Sequence, residues 1–158
     1  MNELILGEAT RTIDGRYRLS LPPELAGPLA AEGGDCILAK ERPGCLSLWN
    51  AAVWQSRLDE GVQLVVSKIL ARRLDARLDD VQRLGRLLST RHRPVQLAGR
   101  GRLIVPDGFR EFLGVEPGGT VIVIGAAVCV EIWQPERWQS YVGEQMPEFR
   151  QLLDTLAG

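Results

Sequence analysis

Histidine and cysteine are scarce in this sequence, which narrows the chemistry that it can support. His92 is the single histidine among 158 residues, and Cys36, Cys45 and Cys129 are the three cysteines. One imidazole between two arginines provides neither a zinc ligand set nor a base beside a nucleophile. The cysteines form no even disulfide set and no C-x-x-C pair, so we expect buried, reduced thiols. We therefore expect no metal, no cofactor, no catalytic residue and no small-molecule substrate, and predict that the protein is not an enzyme.

Long hydrophobic runs are also missing. The longest apolar run without a charge covers residues 121–130, ten residues, which is about half of what a transmembrane helix needs. The first eight residues lack a basic segment and contain two acids, so they do not resemble a signal peptide. These features predict a cytoplasmic protein that is not embedded in a membrane.

The sequence has no overall excess of charge, but its positive charge is concentrated. The net charge is −1 and the pI is about 5.9, which argues against indiscriminate attraction to polyanions. Residues 91–106 carry +4 and residues 9–23 carry +2, which leaves −7 for the remainder. If the fold brings the two basic segments together, they form one face that can neutralise phosphates.

An internal duplication organises the chain. Residues 14–56 align with residues 98–140 at a spacing of 84, with 13 identities in 43 pairs and no gap. The spacing is too long, and two copies are too few, for a solenoid repeat. We interpret the sequence as two copies of one small module, so that each functional turn occurs twice.

Each copy is predicted to contain a short strand, a helix of one or two turns and a β-hairpin. β-branched runs around Gly-containing turns indicate the hairpins, and Gly114 is placed to end the second copy's helix. In the first copy the predicted strand covers residues 19–21, the helix 23–31, and the two hairpin strands 36–39 and 45–49. In the second copy the strand covers 102–105, the helix 108–113, and the two hairpin strands 120–124 and 128–133.

The four tryptophans have a structural interpretation. If Asn50 and Gln134 are helix N-caps, each copy has one Trp just before the cap and another at the fourth helical position, which is the pattern of a hydrophobic staple. We therefore expect core packing at two strand-to-helix junctions rather than base stacking. The pairs are Trp49 with Trp54 and Trp133 with Trp138.

The segment between the copies is predicted to form two amphipathic helices. Residues 58–93 contain no proline, and their leucines recur at helical spacings. The charged positions are nearly balanced in sign, which is typical of a solvated, salt-bridged face. We thus divide the chain into a first module (1–57), a helical connector (58–93), a second module (94–142) and a helical tail (143–158).

Residues 101–123, from Gly-Arg-Leu-Ile-Val-Pro through a Leu-Gly turn to a hairpin, resemble the AbrB/SpoVT swapped-hairpin DNA-binding module. Two such modules, separated by helices and each followed by a Trp-containing helix start, resemble the MraZ family over residues 3–145. The resemblance implies an α+β fold, with two tandem AbrB-like swapped-hairpin β-modules forming a pseudo-twofold β-barrel core and with connecting α-helices.

The resemblance also implies a function. Members of this family are sequence-specific transcriptional regulators, usually repressors of their own cell-division and cell-wall operon, which bind promoter direct repeats as ring-shaped homo-oligomers. The implied partners are thus double-stranded DNA and further copies of the chain, in the nucleoid. Arginines would contact phosphates and guanine edges. The DNA-binding residues expected by position are Arg11, Asp14, Arg16, Arg18, Arg100 and Arg102.

Two positions depart from the family's D-x-x-x-R pattern, which Asp14 and Arg18 match in the first copy. Ala98 replaces the aspartate of the second copy, and Tyr17 replaces a glycine in the first. The departures leave two alternatives open. In the first, the arginines have a structural role alone and join the two hairpins through salt bridges. In the second, the chain is an antitoxin-like or other protein-binding module that has lost the usual operator specificity.

Overall fold

The structure, a computed structural model, describes residues 4–30, 34–99 and 101–158, apart from the side chain of Asp59. It is an α+β fold, as predicted. The strands are β1 (Glu8–Thr12), β2 (Arg18–Ser20), β3 (Asp35–Arg42), β4 (Cys45–Asn50), β5 (His92–Gln96), β6 (Arg102–Ile104), β7 (Thr120–Gly125) and β8 (Val130–Trp133). The α-helices are α1 (Pro23–Leu29), α2 (Ala51–Leu70), α3 (Leu78–Arg91), α4 (Arg110–Leu113), α5 (Pro135–Gln145) and α6 (Phe149–Ala157).

The strands form one six-stranded antiparallel sheet, in the order β1-β7-β8-β4-β3-β5, and a separate two-stranded ribbon of β2 and β6. The copies exchange strands, because β1 of the first pairs with β7 of the second and β5 of the second pairs with β3 of the first. Among the described residues no pairing joins β1 to β5, so the sheet is open and the expected barrel is not closed. β1 and β5 were not predicted from the sequence; β5 begins at His92, where helix was expected to continue.

The ungapped alignment of the two copies is wrong across β3. Trp49 and Trp133 lie 84 residues apart, but their partners Ile37 and Ile122 lie 85 apart. In sequence, one residue more separates α4 from β7 than separates α1 from β3, and the irregularity between Lys40 and Arg42 compensates for this difference in the first hairpin. This β-bulge restores the register, so both hairpins bury the same face.

The main core lies between the ribbon and the sheet. Leu19 and Leu103 from the ribbon are 3% and 0% exposed and pack with Leu38 and Leu48 of the sheet. Short helices α1 and α4 contribute further apolar side chains to the same cluster. Because side chains alternate along a strand, burial of these leucines directs their neighbours in the ribbon towards solvent.

The tryptophan staples are confirmed. The ring centroids of Trp49 and Trp54 lie 5.6 Å apart, and those of Trp133 and Trp138 lie 5.2 Å apart. Tyr141 extends the second cluster, 5.0 Å from the Trp133 ring. Both clusters follow a strand that leads directly into a helix, so they fix the angle at which α2 and α5 leave the sheet.

The two helix caps behind these staples differ. The Asn50 side chain accepts hydrogen bonds from the backbone N–H groups of Ala52 and Val53, at 3.0 and 3.3 Å. Gln134 occupies the equivalent position without a side-chain cap, and its Nε2 donates instead to the Gly114 carbonyl at 2.9 Å. The longer glutamine thus joins α5 to the left-handed turn that ends α4.

The three cysteines are buried and free, as expected. Burial raises the pKa of Cys36 to about 11 and that of Cys129 to about 12, and it also raises the pKa of Cys45. All three therefore stay protonated at neutral pH, and a protonated thiol is a poor nucleophile.

The connector holds two helices, as predicted, and α3 carries the expected salt-bridged face. Asp80 accepts from Arg77 at 2.8 Å and from Arg83 at 2.7 Å. The two connector helices also expose apolar side chains, including Leu70 on α2, which is 79% exposed, and Leu87 on α3. Of the helices in the described part of the chain, none is long and apolar enough to cross a membrane.

Candidate nucleic-acid interface

The ribbon of β2 and β6 places two arginines of the predicted site on one solvent-facing surface. Leu19 lies opposite Leu103, Arg18 opposite Ile104, and Ser20 opposite Arg102. The two leucines are equivalent positions of the duplication, so the pseudo-twofold axis passes between them. With the leucines buried, the other four side chains point outward. Arg18 and Arg102 consequently lie diagonally across the outer face.

In the first copy, Asp14 holds the turn that leads to Arg18. Its Oδ1 accepts hydrogen bonds from the backbone N–H groups of Arg16 and Arg18, at 2.8 and 3.0 Å, and its Oδ2 accepts from the Arg18 Nε at 2.8 Å. These bonds, first among them the one from the Arg18 backbone, lower the pKa of Asp14. The carboxylate is therefore charged at neutral pH and orients the Arg18 guanidinium.

In the second copy the backbone hydrogen bond from residue 98 to Arg102 is present without the carboxylate. The Ala98 N–H donates to the Arg102 carbonyl at 2.9 Å, and the Asp14 N–H makes the equivalent bond to Arg18 at 3.0 Å. Among the described residues, the acceptor for the Arg102 Nε is the Gly99 carbonyl at 3.4 Å, which is longer than a usual hydrogen bond. Arg102 is thus positioned by its backbone, and its side chain is less constrained than that of Arg18.

Tyr17 and Gly101 are equivalent residues with the same left-handed backbone, at φ 59° and 68°. Their carbonyls accept equivalent hydrogen bonds from Val105 and Leu21, both at 2.9 Å. This conformation costs a residue other than glycine about 1–2 kcal/mol, and the Arg110 guanidinium over the Tyr17 ring, 4.2 Å from its centroid, opposes that cost. The first copy therefore forms the same turn with tyrosine where the second copy has glycine.

Two depressions flank the ribbon, one on each side, and the pseudo-twofold relates them. Arg18 and Arg102 line both. The first depression is otherwise lined by Arg11, Thr12, Asp14, Leu19 and Ser20. The second depression is otherwise lined by Arg93, Pro94, Val95, Gln96, Ala98, Ile104 and Pro106.

Four of the six residues predicted from the sequence come together here: Arg11, Asp14, Arg18 and Arg102. Arg11 projects from β1, and its Nε donates to the Ser20 carbonyl at 3.0 Å, which ties β1 to the ribbon. Arg16 lies exposed in the turn before β2. The sixth, Arg100, lies outside the described residues.

Arg93 belongs to this surface but was not among the predicted site residues. It lines the second depression, with its guanidinium 5.6 Å from the centroid of the Phe109 ring. The first copy has Ala9 at the equivalent position, so the duplication gave no signal for it. Its neighbour Arg91 instead faces Glu41, at 3.7 Å, and bonds the Lys40 carbonyl. Of these two neighbouring arginines, Arg93 thus belongs to the surface, and Arg91 stabilises the fold.

Comparisons with known proteins find a family model that matches the C-terminal part of the chain and relatives that align with nearly all of it. A family model described as "MraZ protein, putative antitoxin-like" matches residues 91–157. The transcriptional regulator MraZ of Heliobacterium modesticaldum is 29% identical over 153 residues, which cover 97% of this chain and 96% of that protein. Those of Leuconostoc mesenteroides and Thermomicrobium roseum are each 26% identical and cover 97% of this chain, with 96% and 99% of their own lengths aligned.

Proposed function

Since the chain belongs to the MraZ family, we propose that it is a transcriptional regulator that binds DNA sequence-specifically through the ribbon. The observation that carries the proposal is the diagonal pair of arginines on the outer face of the ribbon. A two-stranded ribbon fits the major groove, and an arginine can donate two hydrogen bonds to a guanine edge. Asp14 accepts a hydrogen bond from the Arg18 Nε at 2.8 Å and so orients the first of these arginines.

The surrounding charges support a nucleic acid as the ligand. Arg11, Arg16 and Arg93 lie around the ribbon, and Asp14 is the one acid among the described residues that line either depression. Its charge is matched by Arg18, so the described surface keeps a net positive charge. Such a surface binds phosphates while the ribbon contacts base edges.

The regulatory role belongs to the same proposal. The protein represses a cell-division and cell-wall operon that includes its own gene, by binding direct repeats in the promoter as a ring-shaped homo-oligomer associated with the nucleoid. One ribbon offers few contacts, so several linked ribbons supply the affinity. Exposed apolar side chains on the helices, such as Leu70, Leu87 and Leu156, support contacts between copies.

The proposal is tested by fluorescence anisotropy with a labelled duplex from the promoter of the protein's own operon, across a salt series. We expect preferential binding over a scrambled duplex of equal composition, with a log–log salt slope of roughly −0.9 for each phosphate neutralised. Equal affinity for the scrambled duplex would contradict sequence specificity, and no binding at any salt concentration would contradict the proposal as a whole.

Two single substitutions, at positions 14 and 98, distinguish the contribution of Arg18 to DNA binding from that of Arg102. Asp14→Ala removes three hydrogen bonds from the turn before Arg18, so we expect promoter affinity to fall about three- to tenfold. Ala98→Asp supplies the missing acceptor for Arg102, so we expect affinity to stay constant or rise. The same anisotropy assay measures both, with thermal unfolding as the control for folding. A loss caused by Ala98→Asp and none caused by Asp14→Ala would contradict this assignment.

One observation supports a second candidate, an antitoxin-like protein-binding module. An apolar groove lies between α5 and α6, with Tyr141, Met146, Phe149 and Leu152 among its lining residues. A helix bound in such a groove would give an affinity that hardly depends on salt. The salt series therefore distinguishes this candidate from DNA binding.

A further inference from the structure

The two depressions beside the ribbon occupy equivalent positions but differ in chemistry. At three pairs of equivalent positions the first copy has a polar side chain and the second an apolar one: Arg11 and Val95, Asp14 and Ala98, and Ser20 and Ile104. The backbone of the ribbon is the same on both sides, since the pairing of β2 with β6 is symmetric about Leu19 and Leu103. The difference therefore lies in what each depression can contact.

Ile104 is the most unusual of these residues. Its side chain is 56% exposed on the outer face of the ribbon, directly opposite Arg18. The fold does not require an apolar residue there, because Ser20 occupies the equivalent position and the core contact is made by Leu103. An exposed isoleucine between arginines thus provides apolar contact area on a surface that otherwise attracts anions.

The arginines around the second depression limit which kinds of ligand can bind there. Arg18, Arg93 and Arg102 line it, and none of its described lining residues is acidic. A ligand that fits must bring negative charge at its edges and a small apolar group at its centre. The major groove of DNA at an A·T pair has both, because phosphates line the groove and thymine carries a C5 methyl group.

Resting on the DNA-binding function proposed above, we propose that the second depression recognises a thymine through its C5 methyl group, with Ile104 as the specificity-determining contact. Val95 and Ala98 form the apolar surface beside it, and Arg18 and Arg102 place the ribbon in the groove. The first depression has Ser20 instead, a hydrogen-bonding side chain that suits a polar base edge. The two depressions of one chain would therefore recognise different bases.

The test replaces thymines in the promoter duplex one at a time with deoxyuridine, which keeps the base pairing and lacks only the methyl group. For the wild-type protein we expect one position, or one per repeat, at which affinity falls about fourfold, the factor for one buried methyl group. In Ile104→Ser the same substitution should change affinity by less than about 1.5-fold, because the apolar partner is gone. Ile104→Val should retain most of the effect.

Ser20→Ala is the matched control, because it changes the equivalent residue in the first depression and should leave the deoxyuridine effect intact. Circular dichroism and thermal unfolding check that each variant is folded. If the wild type binds its promoter specifically and no deoxyuridine lowers affinity more than about 1.5-fold, the thymine contact is wrong and the proposed function stands. If the effect persists in Ile104→Ser, another residue contacts the methyl group. If the wild type shows no specific DNA binding, both the thymine contact and the proposed function are wrong.

Discussion

Replacing Arg18 and Arg102 together with alanine is expected to lower affinity for the promoter duplex about 100-fold or more. Each arginine that donates two hydrogen bonds to a guanine contributes about 1–3 kcal/mol of discrimination, and the two lie on opposite ends of the ribbon. We expect Arg18→Ala to cost more than Arg102→Ala, because Asp14 holds only the Arg18 guanidinium. Competition between the promoter duplex and a scrambled duplex measures the loss of specificity.

Arg86→Ala is the matched control for these variants. Arg86 is an exposed arginine on α3, away from the ribbon in sequence and in secondary structure, and its removal changes the net charge by the same amount as either single variant. We expect its promoter affinity to stay within about twofold of wild type. If the double variant binds like Arg86→Ala, the arginines of the ribbon serve only to join the hairpins.

Replacing Trp133 with alanine is expected to reduce the free energy of unfolding by about 3–5 kcal/mol. Its side chain is 2% exposed, its ring contacts those of Trp138 and Tyr141, and its Nε1 donates to Glu131 at 2.9 Å. The substitution removes this contact area and leaves a cavity where α5 joins the sheet. Urea unfolding followed by circular dichroism measures the change in midpoint at constant m-value.

The equivalent Trp49→Ala is the matched comparison, and we expect a smaller loss. Trp49 is 9% exposed, contacts the Trp54 ring at 5.6 Å and the Arg57 guanidinium at 5.4 Å, and donates to Ser47 at 2.9 Å. In the described part of the chain, Trp49 has no second aromatic neighbour comparable to Tyr141. A larger loss for Trp49→Ala than for Trp133→Ala would contradict this ranking.

The duplication and the tryptophan staples could be predicted because they are visible in the residue pattern itself and require no knowledge of tertiary contacts. Identical residues at one spacing gave the two copies, and a helix start with a proline at its first position gave Trp133 and Trp138. β1 and β5 could not be predicted, since segments such as His92–Gln96 lack the apolar alternation of a strand. Their strand structure comes from pairing with the other copy's hairpin, a tertiary contact that overrides local preference.

The candidate site was predicted where the motif is complete and missed where it is not. Asp14 and Arg18 stand four residues apart, and a carboxylate at that spacing reaches both the turn and the guanidinium. Arg93 and Ile104 have residues of another type at the equivalent positions, Ala9 and Ser20, so the comparison of the two copies could not find them. Only the fold, which brings β5 beside β6, shows that they share a surface with Arg102.

The exchange of strands between the copies also determines the order in which strands can pair while the chain is being synthesised on the ribosome. Glu8 pairs with Ile124, 116 residues later in the chain, and at about 5–20 residues per second the ribosome needs roughly 6–23 s to span that interval. Until then β7 is not available to pair with β1. Ile5 and Ile13, on either side of β1, are buried only once the complete core has formed. The β3–β4 hairpin is complete within seconds, so the earliest strand to be translated is among the last to be placed.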